Sequence, residues 1–430
     1  MTVLDLLIVA DDLTGAIDTG IQFVKNGYKT LVTTDPLALS DCIDPTIRVL
    51  VVTTTSRHIS PNQAYMRVYN AVVAAKSWGV GLFYKKTDST LRGNIGAELA
   101  AMMQASGLRQ MVFAPALPGL KRTVQNGKIY VCGKPLSESQ FSKDPFSPVR
   151  SDYVPDIIGE QTDIPVHICS ADNLPDFDEK DCILLLDAQS DQDMQEIAEK
   201  IRDSGCRVAF AGCSGFAAAL PTLLPKPEEI IQQEKVSAER MLFVSGSINE
   251  TSMAQVKMAE AEGVPVIRLP PEEYLMQDYL CSEVYKRLCR ELEDAFLEAG
   301  CAVLYTARDS VQAAEATTVA KQINLETERL HLTIADCIGK VVSAILERMI
   351  IDVLVVFGGD TLQGILKSTG CSNVFPMTEL LPGIVQSQTT MNEKKMVVVS
   401  KSGGFGPTDT ILRVKHHFKQ GWESRRLTDE

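Results

Sequence analysis

The sequence predicts an α/β protein of two domains, each a largely parallel sheet flanked by helices, with a β-hairpin excursion in the first. Short runs rich in valine, isoleucine and leucine alternate with helical patterns along the chain, which is typical of a parallel sheet covered by helices. Several runs are apolar throughout, as expected for strands buried on both faces. The length of 430 residues favours two or three cores over one, and two is the simplest case.

Composition and charge narrow the class of protein. A net charge of −13 argues against a broad nucleic-acid surface, because phosphate backbones are bound by clustered lysine and arginine. The N-terminus has no basic leader and is interpreted as a first strand, and no apolar run is long enough to predict a membrane span. Eleven scattered cysteines without a C-x-x-C pair predict reduced thiols in a cytoplasm.

Seven apolar runs are the candidate strands of the first half. They cover residues 4–10, 29–34, 48–55, 80–86, 109–114, 182–187 and 207–212. A helix near 14–25 has one apolar face and ends at Asn26-Gly27, where a left-handed cap is expected. Ser60-Pro61 predicts the start of another helix, with a capping serine and a proline in the first turn.

Two segments interrupt this alternation. Residues 119–150 predict a β-hairpin that turns at Asn126-Gly127 and continues into a proline-rich loop. Residues 221–240 combine three prolines with a charged run, which is typical of a linker. We therefore predict two domains, 1–228 and 229–430, and the strand, loop and helix pattern begins again at Met241.

In the second half, three predicted strands end in small residues that expose the backbone. These turns are Ser245-Gly246-Ser247, Gly358-Gly359-Asp360-Thr361 and Ser402-Gly403-Gly404-Phe405-Gly406. Glycine lets a backbone approach an anion closely, and a following helix N-terminus offers free N–H groups to phosphate. Neither G-x-x-x-x-G-K-[ST] nor G-x-G-x-x-G occurs, and a tight strand-to-helix turn also uses glycine. Because three such turns can line one crevice at the carboxyl ends of a sheet, we predict a nucleotide site.

In the first half, charged residues collect at predicted strand ends. Asp11 and Asp12 follow the first strand, and the clusters TTTSRH (53–58) and KKTDSTLRGN (85–94) follow two others. Arg57, Lys86 and Arg92 are suited to a small carboxylate, while aspartates accept hydroxyl groups, so a polyhydroxy acid fits. In the alternative interpretation, Asp11 or Asp12 only caps a helix, and Lys85, Lys86 and Arg92 form a solvated face.

The segments DDLTGA-x-DTG (11–20), KKTDSTLRGN (85–94), APALPGLKRTVQNGKIYVCGKPL (114–136), VSGSINETSMAQ (244–255), VFGGDT (356–361) and VSKSGGFG (399–406) together resemble the four-carbon acid sugar kinase family. The resemblance runs through nearly the whole chain. It implies a sugar-acid-binding N-terminal domain and a nucleotide-binding C-terminal domain. It further implies transfer of the ATP γ-phosphoryl group to the 4-hydroxyl of a tetronate.

Matched motif by motif, the resemblance also implies ligand contacts. Those to ATP fall on Ser245, Ser247, Gly358, Gly359, Asp360, Thr361, Gly403 and Gly404. Those to the substrate fall on Asp11, Asp12, Ser56, Arg57, Lys86, Asp88 and Arg92. The form DDLTGA-x-DTG is closer to the threonate or erythronate branch than to the 3-oxo-tetronate branch.

The expected reaction assigns roles to a few of these residues. Either Asp12 or Asp88 accepts the proton of the hydroxyl, Lys86 and Arg92 hold anions, and Mg²⁺ bridges the phosphates through protein ligands that the sequence does not identify. We expect the two ligands to meet in a cleft between the domains.

Two rival functions are a hydroxy-acid dehydrogenase and a non-enzymatic sugar-acid-binding protein. The dehydrogenase should carry a dinucleotide fingerprint, and none is present. The binding protein would keep the first site without needing the second. The sequence leaves open whether the chain is a monomer or a homodimer.

Overall fold

A computed structural model describes residues 4–35, 44–143, 149–175, 180–227, 236–325 and 330–426. The chain forms two compact units, Met1–Ile231 and Gln232–Glu430. The predicted boundary between residues 228 and 229 lies outside the described residues and stays a prediction.

The first unit alternates strands and helices as the sequence predicts. Its strands are β1 (Leu6–Ala10), β2 (Thr30–Thr33), β3 (Val49–Thr53), β4 (Leu82–Lys86), β5 (Gln110–Ala114), β6 (Arg122–Gln125), β7 (Lys128–Val131), β8 (Lys134–Pro135), β9 (Val166–Cys169), β10 (Cys182–Leu186) and β11 (Ala209–Gly212). Its helices are α1 (Leu13–Val24), α2 (Pro61–Lys76), α3 (Ile95–Ser106), α4 (Val154–Gly159), α5 (Asp191–Ser204) and α6 (Ser214–Ala217). Each of the seven predicted runs contains a strand, whereas the half-exposed β9 was not predicted.

The main sheet of this unit is parallel in the order β2-β3-β1-β4-β11-β5-β10-β9. Ala10, the last residue of β1, pairs with Thr53 of β3 on one side and with Lys86 of β4 on the other. The carboxyl ends of these three strands therefore lie at one edge of the sheet, where an open α/β sheet binds its ligands.

The predicted start of α2 and the predicted hairpin are confirmed. The end of α1 differs from the prediction in part, because its C-cap is Lys25 in a right-handed conformation and the left-handed residue is Gly27, with a φ of 87°. Ser60 caps α2 and accepts a hydrogen bond from the backbone N–H of Gln63. Strands β6 and β7 are antiparallel and turn at Asn126 and Gly127, whose φ angles of 51° and 70° suit a tight hairpin turn. The carboxylate of Asp187 accepts hydrogen bonds from both turn N–H groups, at 2.6 and 3.0 Å, which ties the hairpin to the end of β10.

The second unit carries the remaining elements. Its strands are β12 (Met241–Ser245), β13 (Val266–Arg268), β14 (Cys301–Tyr305), β15 (Val353–Phe357), β16 (Asn373–Leu381), β17 (Ile384–Met391) and β18 (Lys394–Lys401). Its helices are α7 (Glu250–Ala261), α8 (Pro271–Tyr274), α9 (Glu283–Ala299), α10 (Ser310–Gln322), α11 (Leu330–Arg348), α12 (Gly359–Ser368) and α13 (Thr410–Arg426). The order is β13-β14-β12-β15-β18-β17-β16.

This sheet is parallel from β13 to β18 and antiparallel from β18 to β16. The antiparallel strands β16 and β17 were not predicted, because polar residues such as Gln386, Gln388 and Thr390 interrupt any continuous apolar run. Each of the two units nevertheless has the predicted α/β architecture with a largely parallel sheet.

Within the described part of the chain, no helix is both long enough and apolar enough to cross a bilayer. The cysteines of the described residues are all free thiols, and most of them are buried.

Candidate active site

The predicted substrate residues of the first unit lie at the carboxyl ends of β1, β3 and β4. Asp11 and Asp12 follow β1, Arg57 follows β3, and Asp88 follows β4. Because these strands are adjacent and in register at Ala10, the structure brings the four side chains together.

Arg57 stands at the centre of this cluster. Its Nε donates to Asp11 Oδ2 at 2.6 Å, and its Nη2 lies 2.9 Å from Asp12 Oδ1 and 3.7 Å from Asp88 Oδ1. Burial alone would lower the pKa of Arg57, but Asp11, Asp12 and Asp88 raise it well above its usual value. The repulsion between the two adjacent aspartates is thus offset by one shared guanidinium.

The two adjacent aspartates differ in burial. Asp11 is buried, and its Oδ1 has no hydrogen-bond partner among the described residues. Burial alone would raise the pKa of Asp11, but the charges of Arg57, Lys85 and Lys86 outweigh it and lower the pKa. Asp11 is therefore an ionised acceptor with a vacant lone-pair position.

Asp12 has a partly exposed side chain (23%) and caps helix α1. Its Oδ1 accepts from the backbone N–H of Gly15 at 3.2 Å, and its Oδ2 accepts from Thr14 Oγ1 at 2.8 Å. The helix-capping interpretation is therefore right for Asp12, and the cap also fixes this carboxylate inside the charged cluster.

Asp88 is held by its own loop. Arg92 binds it with two prongs, from Nε to Oδ2 at 2.8 Å and from Nη2 to Oδ1 at 3.0 Å, and Thr90 Oγ1 donates to Oδ2 at 2.5 Å. Burial would raise the pKa of Asp88, but Arg92 and Arg57 hold it well below its usual range. Such a carboxylate is a weak proton acceptor.

The interpretation of Lys85 and Lys86 as a solvated face is wrong, because both side chains are buried. Lys85 Nζ lies 2.9 Å from Glu98 Oε2, and Glu98 in turn accepts from the hydroxyl of Ser56. Ser56 is itself fully buried, so the structure places it beneath the cluster with its hydroxyl engaged. Lys86 Nζ donates to the carbonyl of Thr87 at 2.8 Å and, among the described residues, has no carboxylate within 4 Å.

Sequence reasoning missed Glu98 and Arg122. Glu98 lies in the first turn of α3, where an acid favours the helix by itself and gives no further signal. Arg122 opens the hairpin strand β6, donates from Nη1 to the hydroxyl of Ser89 and lies 5.3 Å from the centre of the Phe141 ring. The hairpin turn was predictable, but the direction in which it sends Arg122 is a tertiary property.

In the second unit, the predicted glycine turns also end adjacent strands. Ser245 of β12 pairs with Phe357 of β15, and Phe357 pairs with Lys401 of β18. A Cβ atom added to Gly246 would lie 2.3 Å from Thr361 Oγ1, and one added to Gly403 would lie 3.3 Å from Ser247 Oγ. The three turns are therefore in close mutual contact, as the nucleotide-site prediction requires.

Two features of these turns suit an anion. Helix α12 begins at Gly359, and its N-cap residue, Gly358, has a φ of 103° and provides no side-chain cap, so the first N–H groups remain available. The hydroxyl of Ser245 is buried and has no hydrogen-bond partner among the described residues. Asp360 brings one carboxylate into the first turn of the same helix.

The side chain of a buried lysine, Lys401, holds the backbone of the third glycine turn, residues 402–406, in place. Lys401 Nζ donates to the carbonyls of Ser402 and Gly403, at 3.0 and 2.8 Å, and to Ser252 Oγ at 3.1 Å. Because a trans peptide directs its N–H opposite to its C=O, this pinning directs the N–H groups of Gly403 and Gly404 away from Lys401. Burial lowers the pKa of Lys401 to about 7.

In the part of the chain that the structure describes, no group of three or more histidine, cysteine, aspartate or glutamate side chains is arranged to hold a metal ion. The described residues therefore give no protein cage for a metal. Magnesium in phosphoryl-transfer sites is usually held by one or two carboxylates together with substrate phosphates and water. Asp360 is a carboxylate in the first turn of α12.

Comparison with known proteins assigns each unit. A family model described as the sugar-binding N-terminal domain matches residues 6–220, and one described as the nucleotide-binding C-terminal domain matches residues 242–411. The chain is 28% identical to a D-threonate kinase from Salmonella typhimurium, over 96% of this chain and 98% of that protein. It is also 28% identical to a D-erythronate kinase from Heliobacterium modesticaldum, over 88% of each.

The crystal structure of a protein from Haemophilus influenzae has the same fold, with a TM-score of 0.70 over 96% of this chain and 100% of that one, at 20% identity. This likeness concerns the fold alone. The two family models, by contrast, together match most of the chain, in the order expected for the two domains. The chain therefore belongs to the four-carbon acid sugar kinase family and is a phosphotransferase.

Proposed function

We propose that this enzyme transfers the γ-phosphoryl group of ATP to the 4-hydroxyl of a four-carbon acid sugar, and that its substrate is D-threonate or D-erythronate. The observation that carries the proposal is the cluster of Asp11, Asp12, Arg57 and Asp88 at the ends of three adjacent parallel strands. Carboxylate acceptors interleaved with cations suit a ligand that carries both hydroxyl groups and a negative charge.

Asp12 is the better candidate for the group that accepts the hydroxyl proton. Its carboxylate is the partly exposed one of the three, whereas both oxygens of Asp88 are bound by Arg92. Asp88 then has a positioning role, because it holds Arg92 and Arg57 in place. We therefore propose Asp12 rather than Asp88 as the proton acceptor.

ATP is assigned to the glycine turns of the second unit. The free N–H groups at the start of α12 and those of Gly403 and Gly404 suit the phosphates. Ser245, Ser247, Gly358, Gly359 and Thr361 line the same group of turns. Mg²⁺ would be held by Asp360 together with the phosphates, and when bound it would neutralise charge on the transferring group.

In the reaction, the oxygen of the 4-hydroxyl forms a bond to the γ-phosphorus, and the bond from that phosphorus to the β-phosphate oxygen breaks, which leaves ADP. The proton of the hydroxyl passes to Asp12. Phosphoryl transfer requires mainly alignment and charge neutralisation, because its transition state is loose. Lys86, beside Asp12 and without an acidic partner within 4 Å among the described residues, is placed to neutralise developing charge.

Asp11 supports a tetronate over a 3-oxo-tetronate. Its buried Oδ1 has no hydrogen-bond donor among the described residues, and we assign the 3-hydroxyl of the acid to it. A hydroxyl at carbon 3 can donate to this oxygen, whereas the 3-ketone cannot, and both kinds of acid keep the 2-hydroxyl. A site that is built to pair with a hydroxyl discriminates strongly against an analogue that lacks it. The two relatives, with different substrates and equal identity, do not decide between threonate and erythronate.

Incubation with ATP, Mg²⁺ and a panel of acids tests the proposal. The panel contains D- and L-threonate, D- and L-erythronate and their 3-oxo forms, and ADP formation is followed with time. We expect the highest kcat/KM with D-threonate or D-erythronate, and phosphorus NMR should place the new phosphate on carbon 4. Highest activity with a 3-oxo acid would overturn the substrate assignment, and binding of acid and ATP without ADP formation would favour a sugar-acid-binding protein.

A further inference from the structure

We propose that Arg122 binds the carboxylate of the substrate and thereby makes this site specific for an acid over a neutral polyol; the inference rests on the proposed function. Sequence reasoning assigned that task to Arg57, Lys86 and Arg92. Arg57 and Arg92 are engaged by aspartates, and Lys86 lies beside Asp12, the proposed proton acceptor.

Arg57 and Arg92 are already bound to aspartates. Arg57 lies within 3 Å of both Asp11 and Asp12, and Arg92 holds both oxygens of Asp88. A guanidinium so engaged would have to release a partner before it could grip a second carboxylate in the same two-pronged way. Their main effect is to keep the aspartates ionised and in position.

The side chains that surround Asp11, Asp12 and Asp88 include several cations. With every group ionised, four acids face five cations: Asp11, Asp12, Asp88 and Glu98 against Lys85, Lys86, Arg57, Arg92 and Arg122. Lys85 is paired with the buried Glu98. Among the described residues, Lys86 and Arg122 are the cations of this group that have no carboxylate within 4 Å.

Arg122 is the cation best placed to take the charge of the substrate carboxylate. Among the described residues it has no carboxylate within 4 Å, and its Nη1 donates to Ser89. Its Nε is buried and has no hydrogen-bond partner among the described residues. The edge formed by Nε and Nη2, which matches the two oxygens of a carboxylate, is therefore not used by those residues.

Packing holds the Arg122 guanidinium in place beside Asp88. Arg122 and Arg92 both lie over the ring of Phe141, at 5.3 and 5.5 Å from its centre. The backbone of Arg122 exchanges two hydrogen bonds with Leu117, at 2.8 and 3.1 Å, where the chain enters the hairpin. A rigid, pre-positioned fork loses little freedom when it binds, which favours a selective site.

Lys86 lies beside Asp12 at the start of α1. A Cβ atom added to Gly15 at the start of α1 would lie 2.8 Å from Lys86 Nζ and 2.4 Å from Asp12 Oδ1. Lys86 thus faces the carboxylate that receives the proton, at the reacting end of the acid. We therefore assign Lys86 to the reacting end of the acid and Arg122 to its carboxylate end.

The test compares the preferred tetronate with its neutral amide, which keeps the 4-hydroxyl and loses the charge. For Arg122→Met in the full chain, we expect kcat/KM for the acid to fall about 10- to 100-fold through KM, because a charge-assisted pair is lost. KM for ATP and kcat/KM for the amide should stay near their original values. Arg122→Lys should restore part of the preference, and Lys128→Met, an exposed lysine on the same hairpin, is the matched control.

The following outcomes would overturn the proposed role of Arg122 or the proposed function. Equal losses with the acid and the amide would assign Arg122 a purely structural role and overturn the inference, and so would an unchanged KM for the acid. If Arg122→Met does not fold, Arg122→Lys carries the same test, since it keeps the charge and loses the fork. If the unaltered enzyme phosphorylates no tetronate, the proposed function itself fails, and that result is read before any variant is made.

Discussion

Asp11 and Asp12 are neighbours in sequence, yet their surroundings suit them to different tasks. Asp11 is buried, ionised and left with one vacant acceptor position, whereas Asp12 caps α1 and remains partly open to solvent. Arg57 binds both and offsets their repulsion. In the proposed reaction, this arrangement gives two adjacent residues different roles: Asp11 binds a hydroxyl group and Asp12 accepts a proton.

Asp12→Asn tests the role of the second aspartate. Asparagine caps a helix about as well as aspartate does, so the fold should be retained. Because the amide cannot accept the proton, we expect kcat to fall about 10²- to 10⁴-fold with little change in KM for ATP. Steady-state kinetics with the preferred tetronate measure both.

The matched control for this variant is Asp309→Asn, which alters another capping aspartate, that of α10 in the second unit. It should leave kcat within experimental error of the unaltered enzyme. A normal kcat for Asp12→Asn would remove Asp12 from the list of catalytic residues and return the choice of proton acceptor to Asp88.

Because Lys401 is buried, its contribution to the stability of the folded protein depends on pH. Its contacts are the neutral groups of Ser252, Ser402 and Gly403 and the ring of Phe357, and burial lowers its pKa from 10.5 to about 7. Between these two values the unfolded chain binds more protons at this site than the folded chain does. The stability that this group contributes is therefore fully present above about pH 10.5 and is lost as the pH falls through about 7.

We therefore expect the free energy of unfolding of the unaltered protein, measured relative to Lys401→Met, to rise with pH between about 7 and about 10.5. The slope should be at most about 1.4 kcal/mol per pH unit. Urea unfolding of both proteins at several pH values measures it. Lys395→Met, which alters an exposed lysine on the same strand, is the control, and a pH-independent difference for Lys401→Met would contradict the assignment.

The packing of α11 on α12 depends on two glycines. A Cβ atom added to Gly339 of α11 would lie 2.2 Å from the backbone oxygen of Gly364 of α12, and one added to Gly364 would lie 2.1 Å from the oxygen of Ala335. The obstacles are backbone atoms, which cannot rotate away as a side chain can. This close approach fixes the position of α12, whose first turn belongs to the proposed nucleotide site.

Gly339→Ala should therefore lower the free energy of unfolding by about 1–3 kcal/mol, the usual range for overpacking. It should also raise KM for ATP more than KM for the acid, because α12 must shift. Gly159→Ala is the control: this glycine ends α4, has open space around its Cβ position and should be neutral or slightly stabilising. Equal stability of the two variants would show that α11 and α12 can separate freely.

Strands differ in how much of their structure can be foreseen. Strands such as β1, β3, β12 and β15 are buried on both faces. They are therefore nearly continuous apolar runs, and such runs can be recognised as strands from the sequence. Strands β9, β16 and β17 contain polar or exposed positions, and their partners are set by neighbours distant in sequence. The turns that follow the apolar strands were predicted for the same reason. The end of an apolar run marks the carboxyl end of a strand, which is where a parallel sheet binds ligands.

In the whole molecule, a net charge of −13 coexists with a candidate substrate site that contains several buried cations. Charges on an exposed surface are screened beyond about 8 Å at physiological ionic strength, whereas buried charges are screened much less. The site can therefore attract an anion within an acidic protein. The overall charge still disfavours nucleic acid, which needs a broad basic surface.

The order of amino acids determined the α/β class, the two-part organisation and the family, because apolar runs, turn residues and short motifs are local properties. The tertiary structure decided which of those residues meet. It brings Arg57 into contact with three aspartates that follow two strands, and it buries Ser56 with its hydroxyl bonded to Glu98. The hairpin places Arg122 beside Asp88. Such encounters depend on register and packing between segments far apart in the chain, where charge, burial and pKa are set, and no local pattern encodes them.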